Sequence, residues 1–325
     1  MNVGVIGAGA WGTALAQVLA GDGRPVALWA READVVASIN DAHVNTTFLP
    51  DTPLDPAIRA TDSLAALSDC EALLLVTPAQ HLRAILAELQ PGARPLVLCA
   101  KGIEAGTMQL MSEVARHVCP EAPVAVLSGP TFAHEVARGL PTAVTLACED
   151  DDLGRALAQR LACGSFRPYL SDDVIGAEIG GAVKNVLAIA CGVVEGLGLG
   201  QNARAALIAR GFAEMTRFGL AKGARAETLA GLSGLGDLVL TCSSMASRNF
   251  SLGKGLGEGN SAASVLAGSR TVAEGAFTAP VLQEAARTLA VEMPVVDAVC
   301  ALLEGAVPVS EVVSGLLARP LRTEA

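Results

Sequence analysis

Several groups of residues in this chain have the types and spacing to do chemistry. Glycines fall at positions 7, 9 and 12 of the run Gly7-Ala8-Gly9-Ala10-Trp11-Gly12. That spacing suits a pyrophosphate. The first glycine allows a tight turn, the second lets phosphate approach the backbone, and the third allows close packing of a helix on a strand. The flanks supply the required context. Asn2-Val3-Gly4-Val5-Ile6 reads as a strand, and Thr13-Ala14-Leu15-Ala16-Gln17-Val18-Leu19 reads as a helix whose N-terminus offers free N–H groups and a positive dipole end. The loop therefore predicts a dinucleotide cofactor, NAD or NADP. The second strand ends in Leu28-Trp29-Ala30-Arg31, without the acid that holds a ribose 2′-hydroxyl in NAD sites. Arg31 suits a 2′-phosphate, so NADP is expected to bind at least as well as NAD.

A second group centres on lysine. The chain has 23 Lys plus Arg, but lysine occurs only at 101, 184, 222 and 254. Lys184 lies in Gly180-Gly181-Ala182-Val183-Lys184-Asn185-Val186-Leu187-Ala188, which is apolar nearly all round and predicts a buried helix. An ammonium there must be paired or must lower its pKa. Its neighbours one turn away are Gly180, Gly181, Leu187 and Ala188, which suggests open space that a ligand could fill. Asn185 offers hydrogen bonds on an adjacent face. Lys101 falls just past a strand, beside Gly102, and the next strand ends in Ser128-Gly129-Pro130-Thr131; Lys101, Gly129 and Thr131 are thus expected on one rim. Asp237, in Ser233-Gly234-Leu235-Gly236-Asp237, reads as a cap or as the partner of a buried cation. Ser247-Arg248-Asn249 is a compact set of anion donors, with Arg248 suited to phosphate.

The elements that must position these groups fall into two parts. Continuous apolar runs predict strands over 2–6, 25–29, 72–76, 95–99, 124–127 and 143–147, alternating with helices over 12–21, 32–40, 64–67, 79–89 and 109–118. Such alternation implies a doubly wound parallel sheet. From residue 172 onward only helices are predicted, over 172–195, 201–220, 226–229, 272–289, 295–304 and 309–317, with 253–260 read as a glycine-rich loop. The expected fold is an α/β Rossmann-type domain over 1–171 followed by an all-α domain over 172–325.

Composition narrows the possibilities. A net charge of −10 and a pI near 4.9 leave no basic field for nucleic acid. The most apolar stretch, 177–199, is interrupted by Glu178, Lys184, Asn185 and Glu195, so no membrane span is expected. Eight scattered cysteines without a CxxC, and a first strand starting at Asn2, point to a reducing, cytoplasmic setting. His43, His81, His117 and His134 lack ligand spacing, and no metal is expected.

Taken together, the glycine run extended to Ala16, Asn45-Thr46-Thr47-Phe48-Leu49-Pro50, Ala100-Lys101-Gly102-Ile103, Ser128-Gly129-Pro130-Thr131-Phe132-Ala133, Lys184-Asn185, Gly234-Leu235-Gly236-Asp237, Ser247-Arg248-Asn249 and Val272-Ala273-Glu274-Gly275 resemble the bacterial-type NAD(P)-dependent glycerol-3-phosphate dehydrogenase family. The resemblance covers nearly the whole chain. It implies a helical domain like the C-terminal domain of 6-phosphogluconate dehydrogenase. It also implies reversible hydride transfer between NAD(P)H and dihydroxyacetone phosphate, giving sn-glycerol 3-phosphate for phospholipid synthesis. Lys184 would be the general acid/base, supported by Lys101 and Asp237. Gly129 and Thr131 would line the substrate, and Arg248 and Asn249 would hold its phosphate. Trp11, Arg31, Lys101, Ala133, Arg248, Val272 and Glu274 would contact the cofactor. One departure is Val76-Thr77-Pro78-Ala79-Gln80, where the family more often has Val-Pro-Ser-His, and no roles are assigned there. Another dehydrogenase of this layout, acting on a hydroxy acid or sugar phosphate, remains an alternative, as does an NADP-sensing regulator. The apolar helical domain would suit a homodimer.

Overall fold

The structure, a computed structural model, describes residues 1–267, 273–305 and 307–318. The first part is built on strands β1 (Val3–Ile6), β2 (Val26–Trp29), β3 (Val44–Asn45), β4 (Leu49–Pro53), β5 (Ile58–Thr61), β6 (Ala72–Leu75), β7 (Leu96–Leu98), β8 (Val124–Ser128), β9 (Thr142–Cys148) and β10 (Phe166–Ser171). β3 and β4 form a small antiparallel pair; the others make one sheet in the order β10-β9-β8-β7-β6-β1-β2-β5. The six strands from β5 to β8 are mutually parallel, as expected of a doubly wound sheet. β9 then runs antiparallel to β8, and β10 is parallel to β9, so the last two strands reverse the sheet's direction. Four of these strands were not foreseen. β3, β4, β5 and β10 carry only a short or broken apolar run, because each lies in the small pair or at a sheet edge with one side toward solvent.

Side chains alternate across the sheet and bury both faces. Val3, Val5, Leu28, Leu74 and Val97 pack under helices α1 (Ala10–Ala20) and α2 (Ala33–Ala42). Ile6, Leu73, Leu75, Leu96 and Leu98 pack on the other face under α3 (Leu82–Leu89) and α4 (Met111–Val118). The short α5 (Ala133–Ala137) and α6 (Asp151–Leu161) complete this part.

The second part is helical throughout its described residues: α7 (Val174–Gly196), α8 (Gly200–Ala221), α9 (Ala226–Leu229), α10 (Asp237–Thr241), α11 (Arg248–Gly257), α12 (Ala262–Ala267), α13 (Glu274–Thr288), α14 (Pro294–Glu304) and α15 (Val309–Leu317). α7 is the central helix. By length and composition it could cross a membrane, but 94% of its most apolar window is buried inside the protein. Asp173 starts it by accepting a hydrogen bond from the Gly176 N–H at 2.9 Å. Each fully buried Val or Ile along it contributes roughly 1.5–3 kcal/mol by leaving water. The expected loop over 253–260 is instead largely helix, since α11 runs to Gly257. Its glycines serve close packing: a Cβ on Gly253 would lie 1.9 Å from the Ile189 carbonyl oxygen of α7.

Two buried carboxylates tie these helices together. Glu178 of α7 accepts hydrogen bonds from the Ser112 N–H at 2.7 Å and the Ser112 hydroxyl at 2.5 Å, at the start of α4. Glu214 of α8 accepts from the N–H groups of Val295 and Val296 at 2.9 and 3.4 Å, at the start of α14. Burial pushes both carboxyls up to about 7, against the pull of these hydrogen bonds. The ordinary glutamate value is 4.5, so between that pH and 7 the folded protein binds more protons than the unfolded chain. The stability this represents is full below 4.5 and is lost as pH rises through about 7. The melting temperature should therefore fall by a few degrees from about pH 5 to about pH 7.5, with a shallower fall in Glu178→Gln. A flat or rising profile in the parent would contradict this.

Candidate functional site

The glycine loop follows β1 directly. Gly7 adopts a φ of +113°, and a Cβ there would lie 2.8 Å from the Val76 carbonyl oxygen. A Cβ on Gly12 would meet the Gly7 carbonyl oxygen at 1.8 Å, so α1 sits on the loop only because both residues are glycine. Gly9, the residue that precedes α1, has nothing within 4 Å of its Cβ position. That open space, beside the unpaired N–H groups of the first turn, fits a pyrophosphate. The loop is anchored by a residue that sequence reasoning quoted without a role. Asn45, fully buried, donates to the Ala8 carbonyl and the Thr13 hydroxyl, both at 2.8 Å, and accepts from the Phe48 N–H at 3.0 Å. Ala10 and Trp11 lie in the first turn of α1, and the Trp11 Nε1–H is buried without a partner.

Arg31 lies past the end of β2, largely exposed. The expectation that no acid stands beside it is corrected by its neighbour: Glu32 accepts from the Arg31 guanidinium at 2.8 and 3.1 Å. Glu32 follows Arg31 directly, just past the strand end. Ala133 begins α5. Val272 lies outside the described residues, and Glu274 begins α13.

At the carboxyl edge of the sheet the two parts meet around one carboxylate. Asp237, fully buried, accepts from Lys101 Nζ at 2.8 Å through one oxygen and from Lys184 Nζ at 2.5 Å through the other. Lys184 also donates to the Thr241 hydroxyl at 3.0 Å. Thr241 escaped sequence reasoning, although it stands one turn after Asp237 on α10, on the same helix face. The space expected over Lys184's small neighbours is filled by protein. A Cβ on Gly181 would lie 3.3 Å from the Lys101 side chain and 3.1 Å from the Ser128 hydroxyl. On Gly180 it would strike the Ser233 carbonyl at 2.2 Å, where a π-helical turn over Leu232–Gly236 delivers Asp237.

Two ammonium groups on one buried carboxylate cannot be equally comfortable. At Lys184, burial leads and Lys101 repels, and despite Asp237 its pKa falls to about 7. At Lys101, burial also lowers the pKa, but the charge of Asp237 and the hydrogen bond to it outweigh that and hold it above the ordinary lysine value. Glu274, a further negative neighbour, adds to the pull on Lys101. Glu274 faces this centre. Burial raises its carboxyl, and Arg248, a hydrogen bond from the Ala79 N–H, Lys101 and Lys184 only partly offset that.

The remaining candidates divide by role. Asn249 is buried; its Nδ2 donates to Asn185 Oδ1 at 3.0 Å and its Oδ1 accepts from the Gly275 N–H at 2.9 Å, joining α7, α11 and α13. The Ser247 hydroxyl accepts from the Phe250 N–H at 3.2 Å as the cap of α11, so it is committed to the helix rather than open to an anion. Arg248, next to it in the first turn, is exposed. The Thr131 hydroxyl donates to the Gly129 carbonyl at 3.3 Å, and Pro130 between them lies against Gly236. Gln80, in the stretch left without roles, donates to the Ile103 carbonyl at 2.8 Å and accepts from the Ala105 N–H at 2.9 Å, fastening the loop that follows Lys101. No periodicity or motif marks such a clamp in advance.

Comparison with known proteins agrees with this arrangement. The model for the NAD-dependent glycerol-3-phosphate dehydrogenase N-terminus matches residues 2–154, and that for the C-terminus matches 173–314. The chain is 66% identical to a glycerol-3-phosphate dehydrogenase [NAD(P)+] of Novosphingobium aromaticivorans, over 99% of this chain and 98% of that protein. It is 63% identical to the corresponding protein of Sphingopyxis alaskensis, with the same coverage. A crystal structure of glycerol-3-phosphate dehydrogenase from Coxiella burnetii superposes with a TM-score of 0.94 at 39% identity, covering 98% of this chain and 99% of that one. Motif order, fold and these likenesses together make the chain a member of the NAD-dependent glycerol-3-phosphate dehydrogenase family.

Proposed function

We propose that this protein is an NAD(P)-dependent sn-glycerol-3-phosphate dehydrogenase that reversibly reduces dihydroxyacetone phosphate. The observation that carries the reading is the Lys101–Asp237–Lys184 centre, with Lys184 brought to about 7 beside the sheet edge that holds the glycine loop. A nicotinamide dinucleotide, when bound, supplies or accepts the hydride. Carbonyl reduction leaves negative charge on the substrate oxygen, and a buried ammonium both stabilises that charge and donates the proton. Lys184 takes that role, since near neutral pH it can give a proton to a carbonyl oxygen or receive one from an alcohol. Asp237 orients it, with Thr241 as a second acceptor on the same Nζ. Lys101, held charged, adds a fixed positive field at the same edge. Gly129 and Thr131 line the substrate side, and Arg248 with Asn249 receives the phosphate. Ser247 contributes by fixing the start of α11.

Either cofactor form fits the second strand. Arg31 offers a guanidinium to a 2′-phosphate, in competition with Glu32, and Glu32 offers an acceptor to a 2′-hydroxyl. Eight free thiols, seven of them buried, suit a cytoplasmic setting, and dihydroxyacetone phosphate fits a small phosphate site.

Lys184→Met should fold and still bind NADPH while losing turnover by roughly a hundredfold or more. Steady-state rates within about tenfold of the parent would remove Lys184 from the proton-transfer role. With the parent, kcat for reduction should decline as pH rises through about 7, because the donor is lost with its proton. Arg248→Ala should raise KM for dihydroxyacetone phosphate by roughly 10–100-fold with a smaller effect on kcat. An unchanged KM would mean that the phosphate is held elsewhere.

A further inference from the structure

The stretch Val76-Thr77-Pro78-Ala79-Gln80 leaves one polar group unexplained. The Thr77 hydroxyl belongs to a residue only 6% exposed and has no hydrogen-bond partner. Buried hydroxyls in folded proteins are nearly always satisfied, so an orphan of this kind needs a partner from outside the chain. Its position says which. Thr77 lies two residues past β6, beside the glycine loop: a Cβ on Gly7 would be 3.2 Å from the Thr77 backbone nitrogen. β1 and β6 are paired neighbours, but the chain leaves β1 in the other direction, toward β2 and β5, before crossing over to β6. The carboxyl ends of β1 and β6 therefore flank the topological switch point, the crevice in which doubly wound sheets bind their ligands. A second orphan stands at the same crevice, the buried Nε1–H of Trp11 on the first turn of α1.

We infer that Thr77 is a cofactor-binding residue whose hydroxyl hydrogen-bonds the nicotinamide-side half of the dinucleotide. The side follows from topology. The half-sheet β1-β2-β5 takes the adenosine, and β6 opens the opposite half, immediately across the pyrophosphate. The partner is thus a ribose hydroxyl or phosphate oxygen of the nicotinamide nucleotide. Either can bond a threonine hydroxyl, which both donates and accepts. A proline, as stands here more often in the resembling family, has no such group. This inference rests on the dinucleotide reading of the glycine loop and is independent of the substrate.

The test compares Thr77→Val, which keeps the shape and removes the hydroxyl, with Thr77→Ser, which keeps the hydroxyl. NADPH and NADH affinities are read by nucleotide fluorescence, 5′-AMP affinity by calorimetry, and the melting temperature is taken without cofactor. Thr77→Val should weaken both reduced cofactors about tenfold, the scale of one lost hydrogen bond. Thr77→Ser should stay near the parent, and 5′-AMP, confined to the adenosine half, should bind all three proteins alike. The cofactor-free melting temperature of Thr77→Val should equal or exceed the parent's, because an unsatisfied buried hydroxyl has been removed. Cofactor affinity unchanged in Thr77→Val would overturn the inference, as would an equal loss of 5′-AMP binding. A lower cofactor-free melting temperature would also overturn it, by showing that the hydroxyl has a structural partner. Failure of the parent itself to bind either cofactor would instead remove the dinucleotide reading, and the inference with it.

Discussion

The carboxylate of Asp237 is the constraint on which the rest depends. It has no exposure to water, and its two oxygens receive ammonium groups from the sheet part and from the central helix. Removing it would leave two lysines facing each other without a counter-charge, a loss on the order of 3–5 kcal/mol for a buried pair broken on one side. Much of the surrounding backbone serves this contact. The absence of side chains at Gly180 and Gly181 lets the π-helical turn and the Lys101 stem close over α7. The carboxylate thus joins the two parts of the molecule and sets unequal proton affinities on the lysines it joins.

The substrate side and the cofactor side share one chain of contacts. α13 begins with Glu274, which feels Arg248 and both lysines, and Gly275, whose N–H closes the Asn185–Asn249 link. α7, α11 and α13 are therefore fixed relative to one another at the points where each presents a polar group. The close glycine packing of α11 on α7 belongs to the same design, because the short Asn249–Asn185 bond needs the two backbones to be near.

Much of this was legible in the sequence, for identifiable reasons. The parallel strands were visible because burial on both faces makes them continuously apolar, and the glycine loop because its steric demands admit no other residue at two positions. Lys184 stood out because a charge in an apolar helix needs an explanation. Other features left no such mark. Edge strands such as β10 carry only a weak apolar signal, and reversal of β9 and β10 leaves no local trace. Gly253 and Gly257 look alike whether they make a loop or a close helix contact, and only the presence of α7 decides. Asn45, Thr241 and Gln80 act through partners distant in sequence or in a pattern that many idle residues share. Arg31 was read alone, although its nearest charge was the next residue.

The reversed pair at the edge of the sheet has a metrical consequence. Because β9 and β10 run against β8, the chain passes Ser171 heading away from the site edge, although Ser171, paired through Ala147 with Val126, is level with the carboxyl ends of β6 and β7. α7 must climb back along the sheet face. Val174 and Ala177 pack with the strand side chains, and Glu178 reaches α4. From Val174 to Lys184 the helix rises about 15 Å. The first ten residues of α7 thus work as a gauge block that sets the height at which Lys184 meets Asp237. A residue inserted anywhere along it would raise Lys184 by about 1.5 Å and turn it by about 100°. The proton-bearing atom would then leave Asp237, although no residue around that carboxylate had been changed.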